Sequence, residues 1–135
     1  MNITRLLLFL LAALFAQGSF AATAHAQETP AKDAQEVDVV FETTMGSFTL
    51  KLYPEKAPKT VANFLTYVDQ GFYNDTLFHR TMSRFVVQGG GFEKGMKLKQ
   101  TLAPVENESN NGLKNTPGSI SMARKRDPDS ATSQF

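Results

Sequence analysis

The sequence predicts a mainly β domain with one helix set against the end of a sheet or barrel, and three observations carry this. Val37, Val39 and Phe41 alternate with Asp38, Val40 and Glu42, and Phe48, Leu50 and Leu52 alternate with Ser47, Thr49 and Lys51. Period-two runs of this kind are strands with one face toward a core. Between Pro58 and Gly71, Val61, Phe64, Leu65 and Val68 form one apolar stripe at helical spacing. Finally, Phe78–Gly91, FHRTMSRFVVQGGG, reads as two short strands running into a glycine run.

Ahead of these elements, residues 1–26 read as a secretory signal peptide. Arg5 supplies a positive start, Leu6–Phe15 is unbroken and apolar, and Ala24-His25-Ala26 offers a cleavage site before Gln27. The apolar run is about half the ~20 residues that a helix needs to span a bilayer, which argues against an anchor. The segment has no Arg-Arg pair, and a chain with no Cys has no site for a lipoprotein anchor. Export in an unfolded state, to the periplasm, is therefore expected. Residues 27–36 mix Pro, Ala, Lys, Asp and Glu with no apolar period and read as a disordered leader. The folded domain is expected over 37–135.

Charge and ligand chemistry narrow the partners. Cleavage removes Arg5 and no acid, which leaves equal numbers of bases and acids out of 14 Lys+Arg and 13 Asp+Glu. A near-neutral chain lacks the basic surface that nucleic acid or an anionic membrane requires. His25 leaves as well, so His79 is the one remaining histidine, and with no cysteine a zinc site has no donor set. No cofactor is expected.

In the domain, Gly46 is assigned to the turn between the first two strands, Pro58 to the first turn of the helix and Gly71 to its stop. Leu77–Met82 and Phe85–Gly89 are read as strands joined by Ser83–Arg84. Glu93–Asn115 is a polar surface excursion with one short strand, its Lys94, Lys97 and Lys99 set against Glu106 and Glu108. Its acids and asparagines lack the regular spacing of a calcium loop. Thr116–Arg124 regains strand character, followed by the charged turn Arg124–Asp129.

Arg80 is the residue that asks for a function. It lies in an apolar and Thr-rich run, and its five donors stay charged at any physiological pH, which suits it to hold an acceptor and not to shuttle protons. Phe78-His79-Arg80, Phe85 and Gln88-Gly89-Gly90 together resemble the signature of cyclophilins, the peptidyl-prolyl cis/trans isomerases. Further pieces follow in order: Pro58–Phe64 resembles the first helix of that family, Gly71-Phe72-Tyr73 its exit, Gly118–Ala123 a later strand, and Ser133-Gln134-Phe135 the start of a Ser-Gln-Phe-Phe motif. The resemblance covers about Val37 to Phe135 and implies a cyclophilin-like antiparallel β-barrel with a capping α-helix. Judged against the family the barrel is incomplete, with its C-terminal part missing, and the 135-residue chain is expected to be a poor fold and a poor enzyme.

The reaction so implied needs neither metal nor nucleophile. Rotation about a peptide bond is opposed by ~18–20 kcal/mol of lost resonance, whereas cis lies only about 0.5–1 kcal/mol above trans before proline. Catalysis therefore means binding the twisted amide better than either planar form. The resemblance implies Arg80 as the donor to the prolyl nitrogen, Phe85 as a wall of the proline pocket with Met122 nearby, and Gln88 as a holder of substrate backbone. Gln134 would orient the substrate or Arg80, and Ala123 and Arg124 would line the peptide groove. Val86 stands where many members have methionine and Arg124 where many have asparagine. By strand alternation Phe85 and Gln88 share a site only if Phe85 precedes the regular pleat. His79 is read as a structural histidine packed behind Arg80, since isomerisation transfers no net proton.

The implied partners are proline-containing client polypeptides, met by a monomer with no membrane contact after signal cleavage. Two alternatives use other chemistry: a proline-peptide binding or holdase module without turnover, and an unrelated small barrel for an apolar ligand, with Gly89-Gly90-Gly91 as a barrel bend. The glycines lack the following Lys-Ser/Thr of a phosphate-binding loop.

Overall fold

The computed structural model describes residues 36–135. The expected signal peptide over 1–26 and nearly all of the expected leader over 27–36 lie outside the described residues. Order begins where alternation begins. Strand β1 (Val37–Thr43) pairs antiparallel with β2 (Gly46–Leu52), Val37 opposite Leu52 and Phe41 opposite Phe48. Val37, Val39 and Phe41 are half-buried while Asp38, Val40 and Glu42 face out, as the period demands. The turn itself is Thr44–Met45, and Gly46 is the first residue of β2, where its φ of +120° requires a glycine.

Helix α1 (Pro58–Asp69) lays Val61, Phe64 and Tyr67 into the core, with Leu65 and Val68 half-buried on its flank. Tyr67, left out of the sequence stripe, is fully buried, and its hydroxyl accepts the Leu102 N–H at 2.9 Å. The helix stops as a Schellman motif. The Gly71 N–H returns to the Val68 carbonyl and the Phe72 N–H to the Tyr67 carbonyl, with the Phe72 and Tyr67 rings 4.6 Å apart. Gly71 there has φ +63°.

At the other end the N-cap residue, Ala57, has no side chain able to accept the orphan amides. Glu108 does so from the distant loop, its carboxylate accepting the Lys59 N–H at 3.0 Å and the Thr60 N–H at 2.7 Å. Burial pushes Glu108 up, but the Thr60 and Lys59 amides outweigh it and hold the carboxyl below its ordinary value. Glu106, two residues before, pairs with the Lys59 ammonium. The loop lysines pair elsewhere: Lys97 with Glu93, and Lys99 with the Phe72 carbonyl.

Three short hairpins make up the β content, the second being β3 (Arg80–Met82) with β4 (Val86–Gln88) and the third β5 (Phe92–Glu93) with β6 (Lys97–Leu98). The expected strand Leu77–Met82 is shortened because the Leu77 N–H turns to the Phe92 carbonyl at 2.7 Å and Thr76 bridges Glu93. Phe85 belongs to a three-residue turn, Ser83–Phe85, with Arg84 at φ +61°.

One expectation needs correction. Thr116–Arg124 is not a strand: no ladder runs beside it among the described residues, and its sole link to the next segment is the Ala123 N–H donating to the Gln134 carbonyl at 2.8 Å. The mainly β class with one helix stands, and among the described residues the three hairpins are separate two-stranded sheets. The core joins Leu52, Val61 and Phe64, and half-buried Phe41, Tyr73, Ile120, Met122 and Phe135 pack against it. Phe41 joins its aromatic cluster, 5.2 Å from Phe48, 6.2 Å from Phe64 and 5.4 Å from Phe135.

Candidate active site

Arg80 opens β3 and Gln88 closes β4, and the antiparallel register sets them opposite one another. Cross-strand partners of this kind have side chains on the same face. The Arg80 guanidinium donates from Nη1 to Gln88 Oε1 at 3.2 Å and from Nη2 toward Met82 Sδ at 2.9 Å. With its oxygen committed to the arginine, Gln88 donates from Nε2 to Gln134 Oε1 at 2.9 Å. Residues 46 positions apart in the chain thus form one string, Arg80–Gln88–Gln134. No carboxylate lies within ion-pair distance of Arg80 among the described residues. The guanidinium keeps donors for another acceptor.

The glycine run explains how Gln134 gets there. Gly89 and Phe135 exchange both backbone hydrogen bonds, at 2.9 and 3.2 Å, so the last residues lie directly against the run. A Cβ on Gly91 would stand 2.5 Å from Gln134 Cγ, and one on Gly90, at φ +76°, 2.6 Å from the Phe135 ring. Any larger residue at either position would displace Gln134 or Phe135. Two positioning groups escaped the sequence reading: Asn63 Nδ2 donates to the Thr132 carbonyl at 2.8 Å, and the Tyr73 hydroxyl to the Ser133 carbonyl at 2.9 Å. Burial, and secondarily Tyr67, pushes the Tyr73 hydroxyl up, so it stays a donor. An Asn off the apolar stripe and a Tyr just past the helix stop were the only signals.

The remaining candidates sit apart from this string. Phe85 lies ahead of the β4 pleat, as sharing a site with Gln88 requires, and is 75% exposed in the turn. Met122 packs half-buried against the core cluster. Ala123 is joined to Gln134 through its backbone, and exposed Arg124 folds back to donate to the Lys125 carbonyl at 3.1 Å. His79 meets Phe92 edge to face at 4.5 Å, with its Nδ1 buried and unpartnered among the described residues. That packing agrees with a structural histidine.

Residues 38–135 match the sequence model of the cyclophilin type peptidyl-prolyl cis-trans isomerases. Peptidyl-prolyl cis-trans isomerase B of Escherichia coli K12 is 56% identical over 97 residues, covering 72% of this chain and 59% of that protein. A peptidyl-prolyl cis-trans isomerase of Acinetobacter baylyi is 53% identical over 97 residues, covering 72% of this chain and 52% of its own length. The chain thus spans between half and three-fifths of these relatives. Among solved structures, a Cryptosporidium parvum cyclophilin type isomerase superimposes with a TM-score of 0.55 at 24% identity, over 75% of this chain and 65% of that one. The folds agree.

Proposed function

The chain belongs to the family of cyclophilin type peptidyl-prolyl cis-trans isomerases, and from that premise we propose that it accelerates rotation about X-Pro bonds in polypeptides. The observation that carries this reading is the Arg80–Gln88–Gln134 string. As an X-Pro amide twists, resonance is lost and the nitrogen lone pair becomes localised. A guanidinium aimed at that nitrogen interacts with it only near the top of the barrier, which is the differential binding that raises turnover. Gln88 holds the guanidinium by accepting from Nη1, so little reorganisation is needed when the lone pair develops. The Gln134 amide nitrogen, not used within the string, is left to hold substrate backbone while the other side of the bond turns. In this reading Phe85 supplies an apolar wall for the proline ring, Met122 is a weaker candidate for the same pocket, and Ala123 and Arg124 line the groove.

In this reading the three hairpins belong to an antiparallel barrel of the family type, capped by α1. The burial pattern of the first hairpin supports it, since Leu50, Leu52 and the α1 stripe face one core. The charged start, apolar run and Ala24-His25-Ala26 support export and removal of residues 1–26, with client polypeptides met in the periplasm by a monomer. Mass spectrometry of the mature protein should find Gln27 at its N-terminus, and intact Met1 on a cytoplasmic pool would end that proposal.

Exchange spectroscopy on an X-Pro peptide tests the central claim. Exchange above the uncatalysed rate, however weak, is expected of the wild-type chain and not of Arg80→Ala, with peptide affinity little changed. Exposed Met82, which accepts from Arg80, and exposed Phe85 and Val87 on the same hairpin favour a second reading, a peptide-binding holdase without turnover. Equal affinity and equally negligible exchange in wild type and Arg80→Ala would select it.

A further inference from the structure

Arg124, Lys125 and Arg126 are three successive exposed cations, and among the described residues no carboxylate lies within ion-pair distance of any of them. The acids that follow them keep their charge but accept backbone amides and form no ion pair with these side chains. Asp127 Oδ1 accepts the Asp129 N–H at 3.0 Å, and Asp129 Oδ1 accepts the Asn107 N–H at 2.8 Å. The turn is held from within, because the Lys125 N–H donates to Ser130 Oγ at 2.9 Å and that hydroxyl donates to the Asp127 carbonyl at 2.5 Å. It is also tied to the site, since Ala123, the residue before the triplet, donates its N–H to Gln134, whose side chain reaches Gln88. Three cations that pair with no acid therefore follow directly on Ala123, one backbone hydrogen bond from Gln134, and outnumber the two acids of their own turn.

We propose that Arg124, Lys125 and Arg126 form a cationic rim that makes the site select polypeptides with an acidic residue close to the X-Pro bond. This rests on the isomerase reading and adds a substrate class to it. An extended peptide advances ~3.3–3.6 Å per residue, so a long basic side chain at the rim reaches an acid about two positions from the bond. The attraction operates through water, so it acts on encounter and affinity and is screened by salt.

The test uses the full chain and matched peptides around one Ala-Pro bond, with Gln, Glu or Lys placed two residues before or two residues after it. Turnover is measured by exchange spectroscopy and affinity by titration. On one flank, Glu should raise kcat/KM about fivefold over Gln at low salt, with Lys below both. The preference should shrink to within about twofold at ~0.5 M salt. A Lys125→Gln, Arg126→Gln double variant should weaken the preference and leave the Gln peptide's turnover unchanged. Equal kcat/KM for Glu, Gln and Lys peptides at low salt, with the Gln peptide turned over, would overturn the rim and leave the isomerase reading intact. So would a preference that high salt does not reduce. Were no peptide turned over, the isomerase reading would fail, and the affinities would still decide: tighter binding of the Glu peptide upholds the rim and equal binding ends it.

Discussion

The stretch from Val37 to Tyr73 and the stretch from Lys99 to Phe135 are held in place by different forces. The first is a hairpin and a helix whose apolar faces meet at Leu52, Val61 and Phe64. The second has no helix or ladder of its own; Ile120, Met122 and Phe135 pack against that core, and a series of polar contacts ties the rest of it to the first. Lys99 reaches the Phe72 carbonyl, Leu102 the Tyr67 hydroxyl, Glu106 and Glu108 the start of α1, Thr132 the Asn63 amide, and Ser133 the Tyr73 hydroxyl. Where an apolar face does the positioning, many contacts share the load and no single polar group matters. Where a short run of hydrogen bonds adds to the packing of Phe135, individual donors help to set where Gln134 lies.

Substitutions can break or sharpen that contrast. Phe64, 3% exposed and flanked by Phe41, Tyr73 and Phe135, should be the most costly to truncate. Phe64→Ala is expected to lower unfolding free energy by about 3–5 kcal/mol in a urea titration. A loss below about 1 kcal/mol would mean the first stretch is not held by this core. Arg80→Ala should slow prolyl exchange about a hundredfold, ~2.7 kcal/mol on the barrier, with the melting curve unchanged. Arg80→Lys should be nearly as poor, since a point charge lacks the planar fork. If Arg80→Ala turned over peptide like wild type, the assigned mechanism would be wrong.

Gly91→Ala sits between the two kinds of effect. Its methyl would collide with Gln134, so a stability loss of about 1–3 kcal/mol is expected. Exchange should also fall more than the residual folded fraction explains. The smallest effect belongs to the polar stretch. Glu108→Gln keeps an acceptor but loses the charge at the α1 N-terminus, about 0.3–1 kcal/mol. Because the folded carboxyl titrates below 4.5, its contribution is present above that value and lost as pH falls through the lower folded value. Stability against pH should therefore be flatter below 4.5 in Glu108→Gln than in wild type, and superimposable acid limbs would remove Glu108 as the cap.

Periodicity and punctuation were sufficient for β1, β2 and α1, because a strand's alternation and a helix's stripe are local consequences of which side must leave water. Pro58 and Gly71 marked the helix limits for equally local reasons, a missing N–H and a free choice of φ. Arg80 and Gln88 were legible as a pair through motif order, and the β3–β4 register placed them opposite each other. Other features had no local signature. Tyr67 belongs to the core because the chain at Leu102 covers that flank of α1, and Glu108 caps a helix 48 residues away because Ala57 cannot. The strand expected over Thr116–Arg124 did not form although its residues suit one, since strand propensity becomes a strand only beside a partner ladder. Gln134 reaches Gln88 because Gly90 and Gly91 present no side chain to the last residues. That is a matter of space between segments far apart in the chain, and space of that kind exists only once the chain has folded.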